Sequence, residues 1–244
     1  YYLTSDDFEQ VLAILRLLYT LLYSTSKKKT KNFMETGRMI TMEFREFRKE
    51  DTPALEGIIR KTWNYDKFAG PKTAQKLARV FLSSCLANQT FSQVAVENGK
   101  PVGIILGKNI AVHKCPISYR WKQICSLISL YLTKEGRNAS EIFGSVNGID
   151  KELLATCRPY PAELALFVIS PDCRGKGVGK QLYQQFLQYL KKEHLDSFYL
   201  YTDTSCNYGF YEHQGMVRRC EKEHLFTVNQ QRSKMTFFIY DCEI

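Results

Sequence analysis

The chain has 244 residues, of which 44% are hydrophobic and 13% aromatic, which suits one domain with additions and is enough to bury a core. Its formal net charge is +9, which fits either an anionic partner such as nucleic acid or a membrane, or an ordinary lysine-rich surface. Eight scattered cysteines form no C-x-x-C pair and have no histidine at zinc spacing. We therefore expect no metal site and no disulfide framework, and a reducing cytoplasm.

Residues 5–23 predict an amphipathic helix near the start of the chain. Ser5 suits an N-cap, acidic residues occupy the first turn, and apolar residues follow at helical spacing. The apolar part contains Arg16 and is too short to span a bilayer, so no transmembrane segment is expected. Three interpretations of this helix are open. It could pack on the domain or on a second copy, it could lie on a membrane surface with the help of the lysines at 27–31, or it could belong to an extension outside the natural protein. The expected division is an N-terminal helical extension, 1–41, and one domain, 42–244.

The stretch after this extension predicts three strands and two helices. Phe44 and Phe47 among charged residues indicate a first strand, and Glu50 to Pro53 is a helix-start signal. Asn98-Gly99 between two apolar runs indicates a tight hairpin. The predicted strands are 42–48, 93–97 and 101–106, and the predicted helices are 54–63 and 72–85.

The central stretch, 162–186, joins an apolar run to a helical pattern through a glycine-rich turn. The run 164–169 predicts a strand, glycines stand at 175, 177 and 179, and the helix starts near Lys180. The N–H groups of such a turn point outward at the positive end of the helix dipole, which makes a phosphate or pyrophosphate site. Arg174, Lys176 and Lys180 add positive charge to that site.

Two common nucleotide-binding motifs do not fit this turn. A Walker A loop has four residues between its first glycine and its Gly-Lys pair, whereas three residues separate Gly175 from Gly179. In a Walker A loop Ser or Thr follows the lysine, whereas Gln181 follows Lys180. A dinucleotide fingerprint requires G-x-G-x-x-G, whereas the spacing here is G-x-G-x-G. Both nucleotide-binding interpretations therefore fail.

The pattern R-x-x-G-x-G from Arg174 to Gly179 resembles the coenzyme A binding motif of the GNAT superfamily of N-acetyltransferases. The stretch NYGFYEHQGM, from Asn207 to Met216, is similar to the second signature of that family, with Tyr211 four residues after the asparagine. The resemblance covers about 42–244. It implies an α+β (mixed α/β) fold, with a mostly antiparallel twisted sheet of six to seven strands flanked by helices.

The rest of the chain follows the family's order of elements, with one departure. Strands are predicted at 197–202 and 235–242, and a helix opens at 207–213. About fifty residues, 108–161, stand where the family usually has a short connection. Because 119–132 is apolar at helical spacing and 135–157 is polar, we expect a helical insertion, either beside the acceptor or as a packing or dimer element.

The resemblance implies acetyl-CoA as cosubstrate and assigns residues to it. The strand before the turn would splay from its neighbour, so that its free backbone groups hold the pantetheine and the thioester carbonyl, and the amides of the turn would hold the pyrophosphate. Asn207 would contact the coenzyme arm. The strand residues are Phe167, Val168 and Ile169, and the turn residues are Arg174, Gly175, Lys176, Gly177, Val178, Gly179 and Lys180.

Acetyl transfer to an amine requires a base for the amine and an acid for the thiolate. By resemblance Tyr211 is the general acid, although it also suits a core aromatic beside Tyr208 and Phe210. Glu163, at the start of the central strand, is the candidate base, because burial there could raise its pKa toward neutrality. It also suits a solvated carboxylate at a strand end. In many members of the family an ordered water takes the place of such a base.

Other polar residues near the second signature are further candidates for chemical roles. His213 and His224 could serve as bases, although lone histidines more often lie on the surface or pack. Cys206 could be acetylated, but no histidine base pairs with it, and Asp203 could bind a cationic acceptor.

The sequence therefore predicts an acetyl-CoA-dependent N-acetyltransferase that acts on a primary amine of a small molecule, by direct attack in a ternary complex. A non-catalytic acyl-CoA-binding module and a protein or peptide N-acetyltransferase are the alternatives. No nucleic acid partner is expected, since no basic and aromatic interleaving stands out. A homodimer through the N-terminal helix or the insertion stays open. Specificity in the family resides in its most variable elements, here 54–90 and 108–161, and nothing in these two ranges identifies the acceptor.

Overall fold

The computed structural model describes residues 41–67, 69–137, 149–204, 206–228 and 231–244. The helix predicted at 5–23 lies outside the described residues, and so does the middle of the predicted insertion. The division into an extension and one domain therefore stays a prediction.

The described strands form one sheet. They are β1 (Met42–Arg45), β2 (Phe91–Glu97), β3 (Lys100–Asn109), β4 (Ala162–Ile169), β5 (Ser197–Asp203), β6 (Val217–Val228) and β7 (Gln231–Glu243). Their order in the sheet is β1-β2-β3-β4-β5-β7-β6. Neighbouring strands are antiparallel except β4 and β5, which are parallel. The predicted mixed, mostly antiparallel sheet of six to seven strands is confirmed.

Helices cover both faces of this sheet. The α-helices whose bounds are described are α1 (Thr52–Thr62), α2 (Pro71–Ala87), α3 (Ile117–Tyr131), α4 (Ile149–Ala155), α5 (Val178–Lys192) and α6 (Gly209–His213), with 3-10 turns at Lys49–Asp51, Tyr65–Lys67 and Pro171–Cys173. Both α1 and α2 have a proline in the first turn, where a missing N–H costs no hydrogen bond. In the part of the chain that the structure describes, every helix is too short or too polar to cross a membrane.

The core has two layers, one on each face of the sheet. Alternation along β3 separates them, because Ile104 and Leu106 join one hydrophobic cluster and Ile105 joins the other. The first cluster is covered by α1 to α4. The second is covered by α5, whose Leu182 and Phe186 are fully buried.

The hairpin between β2 and β3 is confirmed, and its turn has a simple cause. Asn98 and Gly99 both have positive φ, 51° and 79°. Two successive residues in this region form the tight turn whose twist matches that of the strands, and Asn-Gly is the pair best suited to it.

Several predicted boundaries differ from the structure, among them the following three. β1 ends at Arg45 rather than at residue 48, because the Phe47 N–H beyond it donates to the Ser92 hydroxyl (3.3 Å) instead of a ladder bond. β3 continues to Asn109, so the insertion begins after that residue rather than at 108. α5 begins at Val178, two residues before the predicted start.

The insertion has helical elements and packs on the domain. Leu127 and Leu130 of α3 and Leu153 of α4 are buried in the first cluster. Cys220 of β6 lies 3.5 Å from the carbonyl oxygen of Leu153. The described part of the insertion is therefore a packed layer over one face of the sheet.

Candidate active site

The strands β4 and β5 diverge along the sheet. Of the described residues, Glu163 and Tyr199 alone pair these two strands, whereas β4 pairs with β3 from Ala162 to Ile169. Backbone groups of β4 that face β5 beyond Glu163 therefore have no partner strand. Because backbone N–H and C=O groups require partners when buried, this edge can bind an extended polar ligand.

The glycine-rich turn follows directly at the end of β4. Gly175 and Gly177 both have φ +79°, a conformation that strains other residues, and Gly177 caps α5. Gly179 has a different role, because a Cβ added there would lie 2.8 Å from Ile169 Cδ1 and 3.5 Å from Phe167 Cζ. The absence of that Cβ lets α5 start close against β4.

The start of α5 is positively charged. Its first turn has no acidic residue, and Lys180 lies there with an exposed side chain, near the exposed Arg174 and Lys176. Lysine in the first turn opposes the helix dipole, so an anion bound to the free N–H groups would be stabilising. Lys176 has a protein partner, since Nζ lies 3.4 Å from Glu97 Oε1. These residues fit the pyrophosphate of a coenzyme.

Helix α6 brings the second signature to β4. The Phe210 ring packs against Phe167 with centroids 5.4 Å apart, and against Tyr183 of α5 at 5.7 Å. Asn207 is exposed just before the helix, and its carbonyl oxygen accepts a hydrogen bond from the Phe210 N–H at 3.1 Å. The structure therefore brings together the end of β4, the start of α5 and the segment that carries Tyr211.

Three tyrosines lie around α6, and their surroundings differ. Tyr240 is fully buried, donates to Glu212 Oε1 (2.7 Å) and accepts from Arg218 Nε (3.0 Å). Burial, followed by the hydrogen bond to Glu212, raises the pKa of Tyr240. The Tyr208 ring packs against Phe238, with centroids 5.5 Å apart. Tyr211 is half-buried, with its ring 6.1 Å from that of Tyr240, so substrate can reach it more readily than it can reach Tyr240.

Glu163 lies at the closed end of the gap between β4 and β5. It is 6% exposed, so the alternative of a solvated carboxylate does not hold. Lys108, its pairing partner on β3, places Nζ 3.8 Å from Oε2. The two side chains form an ion pair that links β3 and β4.

The remaining sequence candidates lie in different surroundings. His213 is exposed and bonds the Gly209 carbonyl of its own helix through Nδ1. His224 lies on the edge strand β6, where burial and then Lys222 lower its pKa. Asp203 is fully buried, and its Oδ2 lies 3.8 Å from Cys206 Sγ. A buried carboxylate is therefore a neighbour of this thiol.

One feature that the sequence analysis missed is a cleft of about 390 Å³ beside the start of β4. Asp241, 1% exposed, accepts from Tyr160 Oη at 2.9 Å and from Arg219 Nε at 2.7 Å. Burial and then Asp241 raise the pKa of Tyr160 to about 12. The cleft contains none of the predicted site residues, and no motif spacing signals it. It is lined by Thr156, Cys157, Arg158, Tyr160, Arg219 and Glu243.

Metal-ligating side chains do not cluster in the described residues. No group of three or more His, Cys, Asp or Glu side chains there is placed to hold a metal ion.

Comparisons with known proteins agree with this geometry. A sequence model of the Acetyltransferase (GNAT) family matches residues 53–216, more than half of the chain. No curated protein matches the chain in sequence. Among solved structures, the protein PH1933 of Pyrococcus horikoshii OT3 has a TM-score of 0.51 and 16% identity, covering 84% of this chain and 99% of that chain, which shows the same fold.

Two further structures are similar at lower scores. The ribosomal-protein-S18-alanine N-acetyltransferase of Escherichia coli has a TM-score of 0.48 and 13% identity, covering 84% of this chain and 94% of that one. The PaiA N-acetyltransferase of Thermoplasma acidophilum, solved with coenzyme A, has a TM-score of 0.45 and 13% identity, covering 84% and 99%. On the family match, this chain belongs to the GNAT family of acetyltransferases, which use acetyl-CoA as the acetyl donor.

Proposed function

We propose that the protein acetylates a primary amine of a small molecule by direct attack of the amine in a ternary complex. The observation that carries this proposal is the gap between β4 and β5, which leads to the positively charged start of α5 and is flanked by the helix of Tyr211. Acetyl-CoA supplies an activated acetyl group as a thioester.

The coenzyme would be held by two segments of the chain. The free backbone edge of β4, at Phe167, Val168 and Ile169, would bind the pantetheine and the thioester carbonyl. The amides of the turn from Arg174 to Lys180 would bind the pyrophosphate at the positive end of α5. Asn207, exposed before α6, would contact the coenzyme arm.

Two side chains would handle protons. Glu163, paired with Lys108, would take the proton that the attacking amine must lose, directly or through a water. Tyr211 would donate its phenolic proton to the departing thiolate. Tyr240 is not a substitute, because it is fully buried and its hydroxyl is bonded to Glu212 and Arg218.

The burial of Glu163 supports a compact acceptor. The carboxylate is 6% exposed and lies at the closed end of the gap, so an amine that reaches it must enter between packed elements. A narrow amine on a small molecule enters such a site more easily than a folded polypeptide surface does.

Thermal unfolding with and without acetyl-CoA, beside a thiol-release assay, tests this proposal. Acetyl-CoA at a hundred times its dissociation constant should stabilise the fold by about 2.7 kcal/mol. The assay panel contains polyamines, aminoglycosides, amino acids and peptides. We expect a stability shift and thiol release on one class of small amine. A shift with no release on any amine would favour a binding module, and release on peptides alone would contradict the small-molecule acceptor.

A further inference from the structure

Helix α3 carries apolar side chains on the face that points away from the domain. On its inner face Leu127 and Leu130 are buried. On the outer face one line of residues, spaced by four, four, three and four, is exposed and apolar. The line, called the outer stripe below, is Ile117 (88% exposed), Trp121 (66%), the exposed Cys125, Ile128 (51%) and Leu132 (75%).

The outer stripe is continuous, unlike a scattering of single apolar residues. With 3.6 residues per turn, its members lie within about 80° of one another around the helix and follow it for its whole length. A helix that is apolar on opposite faces is normally covered on both, and a contiguous exposed apolar patch marks a contact surface. Something outside the described residues is therefore expected to cover this face.

The charges along the outer stripe are positive, and Glu135, just after the helix, is turned toward the start of α2, where it accepts from the Gly70 N–H at 2.7 Å. Arg120 and Lys122 lie on its two sides, each about 100° from its centre. Lys114 precedes the helix, and Lys134 and Arg137 follow it. From residue 98 to residue 134 the sequence contains no Asp or Glu. The surface thus combines aliphatic side chains and a tryptophan with a cationic border.

We propose that the outer stripe of α3 binds the surface of an anionic lipid bilayer. Interfacial helices have this composition, with Trp and aliphatic residues inserted at the boundary and Lys or Arg beside the head groups. A second copy of the chain suits the stripe less well, because a two-fold contact would bring the same cationic borders together. Nucleic acid would satisfy the charges but leave the apolar stripe exposed to water.

The fluorescence of Trp121 can report on this contact. The chain has two tryptophans, and Trp63 is 7% exposed whereas Trp121 is 66% exposed. A change in emission on binding therefore reports mainly on Trp121. The experiment titrates the full chain with vesicles of phosphatidylcholine alone and of phosphatidylcholine with phosphatidylglycerol, and measures tryptophan emission together with co-sedimentation.

We expect a blue shift and co-sedimentation with the anionic vesicles, both weakened by salt, and little binding to phosphatidylcholine alone. Ile128→Ser with Leu132→Ser should weaken binding at least about tenfold, because it removes two inserted side chains. Lys122→Gln should weaken binding about fivefold. Leu225→Ser is the matched control, since Leu225 is equally apolar and 54% exposed but lies on β6, and it should bind like the unmodified chain.

Four results would overturn the proposal. The first is no binding to either vesicle, and the second is equal loss of binding in the control variant. The third is a blue shift without lipid that grows with protein concentration, which would assign the outer stripe to a contact between copies. The fourth is a Trp121 already shielded from acrylamide in dilute, lipid-free protein, which would mean that another segment of the same chain covers it.

Discussion

Phe210 on α6 packs edge-on against Phe167 on β4, with ring centroids 5.4 Å apart. The two residues belong to different sequence motifs, and their contact brings the segment of Tyr211 to the strand that borders the gap. Phe210 also contacts Tyr183 of α5. The position of α6 is therefore fixed from two sides by aromatic packing, which is worth about 0.5–1.5 kcal/mol for each pair beyond the area that it buries.

Replacing Tyr211 by phenylalanine should slow turnover and leave coenzyme binding intact. The ring and its contacts with Phe210 and Tyr240 remain, whereas the proton donor is lost, so kcat should fall by about a hundredfold or more. Steady-state kinetics and calorimetric titration with coenzyme A measure the two effects. Tyr208→Phe is the control, because that ring packs on Phe238 outside the proposed chemistry. A normal kcat in Tyr211→Phe would remove the assigned role.

Replacing Glu163 by glutamine should lower kcat/KM by about 10² to 10⁴, since the amine then lacks its base. The variant also breaks the ion pair with Lys108, so the effect on folding must be distinguished from the effect on catalysis. Lys108→Met breaks the same pair but keeps the carboxylate, and we expect it to retain far more activity. Equal losses of kcat/KM in the two variants, measured from pH 6 to pH 9, would show that the pair is only structural.

Gly177→Ala should weaken coenzyme binding. Its φ of +79° costs an alanine about 1–2 kcal/mol, and relief of that strain would turn the N–H groups at the start of α5. Gly99→Ala is a matched control, because Gly99 has the same φ at the β2–β3 turn. Both variants should lose stability in urea, but only Gly177→Ala should lose affinity in a coenzyme titration. The assignment would not survive equal affinities in the two variants.

Alanine at Gly107 and alanine at Gly57 should change stability in opposite directions. A Cβ at Gly107 would meet the Phe186 ring, 2.8 Å from Cδ2 and closer still to Cε2, and this overpacking should cost about 1–3 kcal/mol. Gly57 lies inside α1 with nothing within 4 Å of an added Cβ. Its replacement should stabilise the protein by about 0.5–1 kcal/mol. Urea midpoints of the two variants measure this, and a shift in the same direction would be contrary to the described packing.

Asp51 should make stability depend on pH in the acid range. Burial raises the pKa of Asp51, but the hydrogen bonds from Arg45 and from the Arg48 N–H together lower it by more than burial raises it. The pKa of Asp51 in the folded protein therefore lies below its ordinary value. Its contribution is therefore complete above the ordinary unfolded pKa of about 3.9 and is lost as pH falls through the folded value.

The variant Asp51→Asn measures that contribution. It should lose about 3–5 kcal/mol at pH 7, because Arg45 is left partly buried without its main partner. The difference from the unmodified chain should shrink as the pH falls to 3. Glu43→Gln, which alters the exposed second partner of Arg45, should cost less than about 1 kcal/mol. A difference that stays constant with pH would contradict the ion pair.

The parts of the fold that sequence could predict have local causes. The turn from Arg174 to Gly179, the Asn98-Gly99 hairpin and the start of α1 depend on neighbouring residues, and the structure has each of these turns or starts. Strand β6 was missed for an equally local reason. It lies at the sheet edge and carries Arg218, Glu221 and Lys222 rather than alternating apolar residues, so its pairing with β7 has no signal in its own composition.

The parts that could not be predicted depend on register between distant segments. The pair between Lys108 and Glu163 exists because β3 and β4 align these residues across an insertion of about fifty positions. The Asp241 contacts with Tyr160 and Arg219 likewise join three separate strands or connections. The periodicity of apolar residues along a strand or helix shows which side chains point inward. It does not show which of those side chains contact one another.

The single pairing of Glu163 with Tyr199 divides the sheet into two blocks, β1–β4 and β5–β7, whose backbones join at one point in the described chain. Apart from the helices packed across them, nothing in the backbone ladder holds the far ends of β4 and β5 together. A molecule that lies along the gap would supply those missing cross-links. We therefore expect the loaded protein to be stiffest, and the far ends of β4 and β5 to separate more easily each time product leaves.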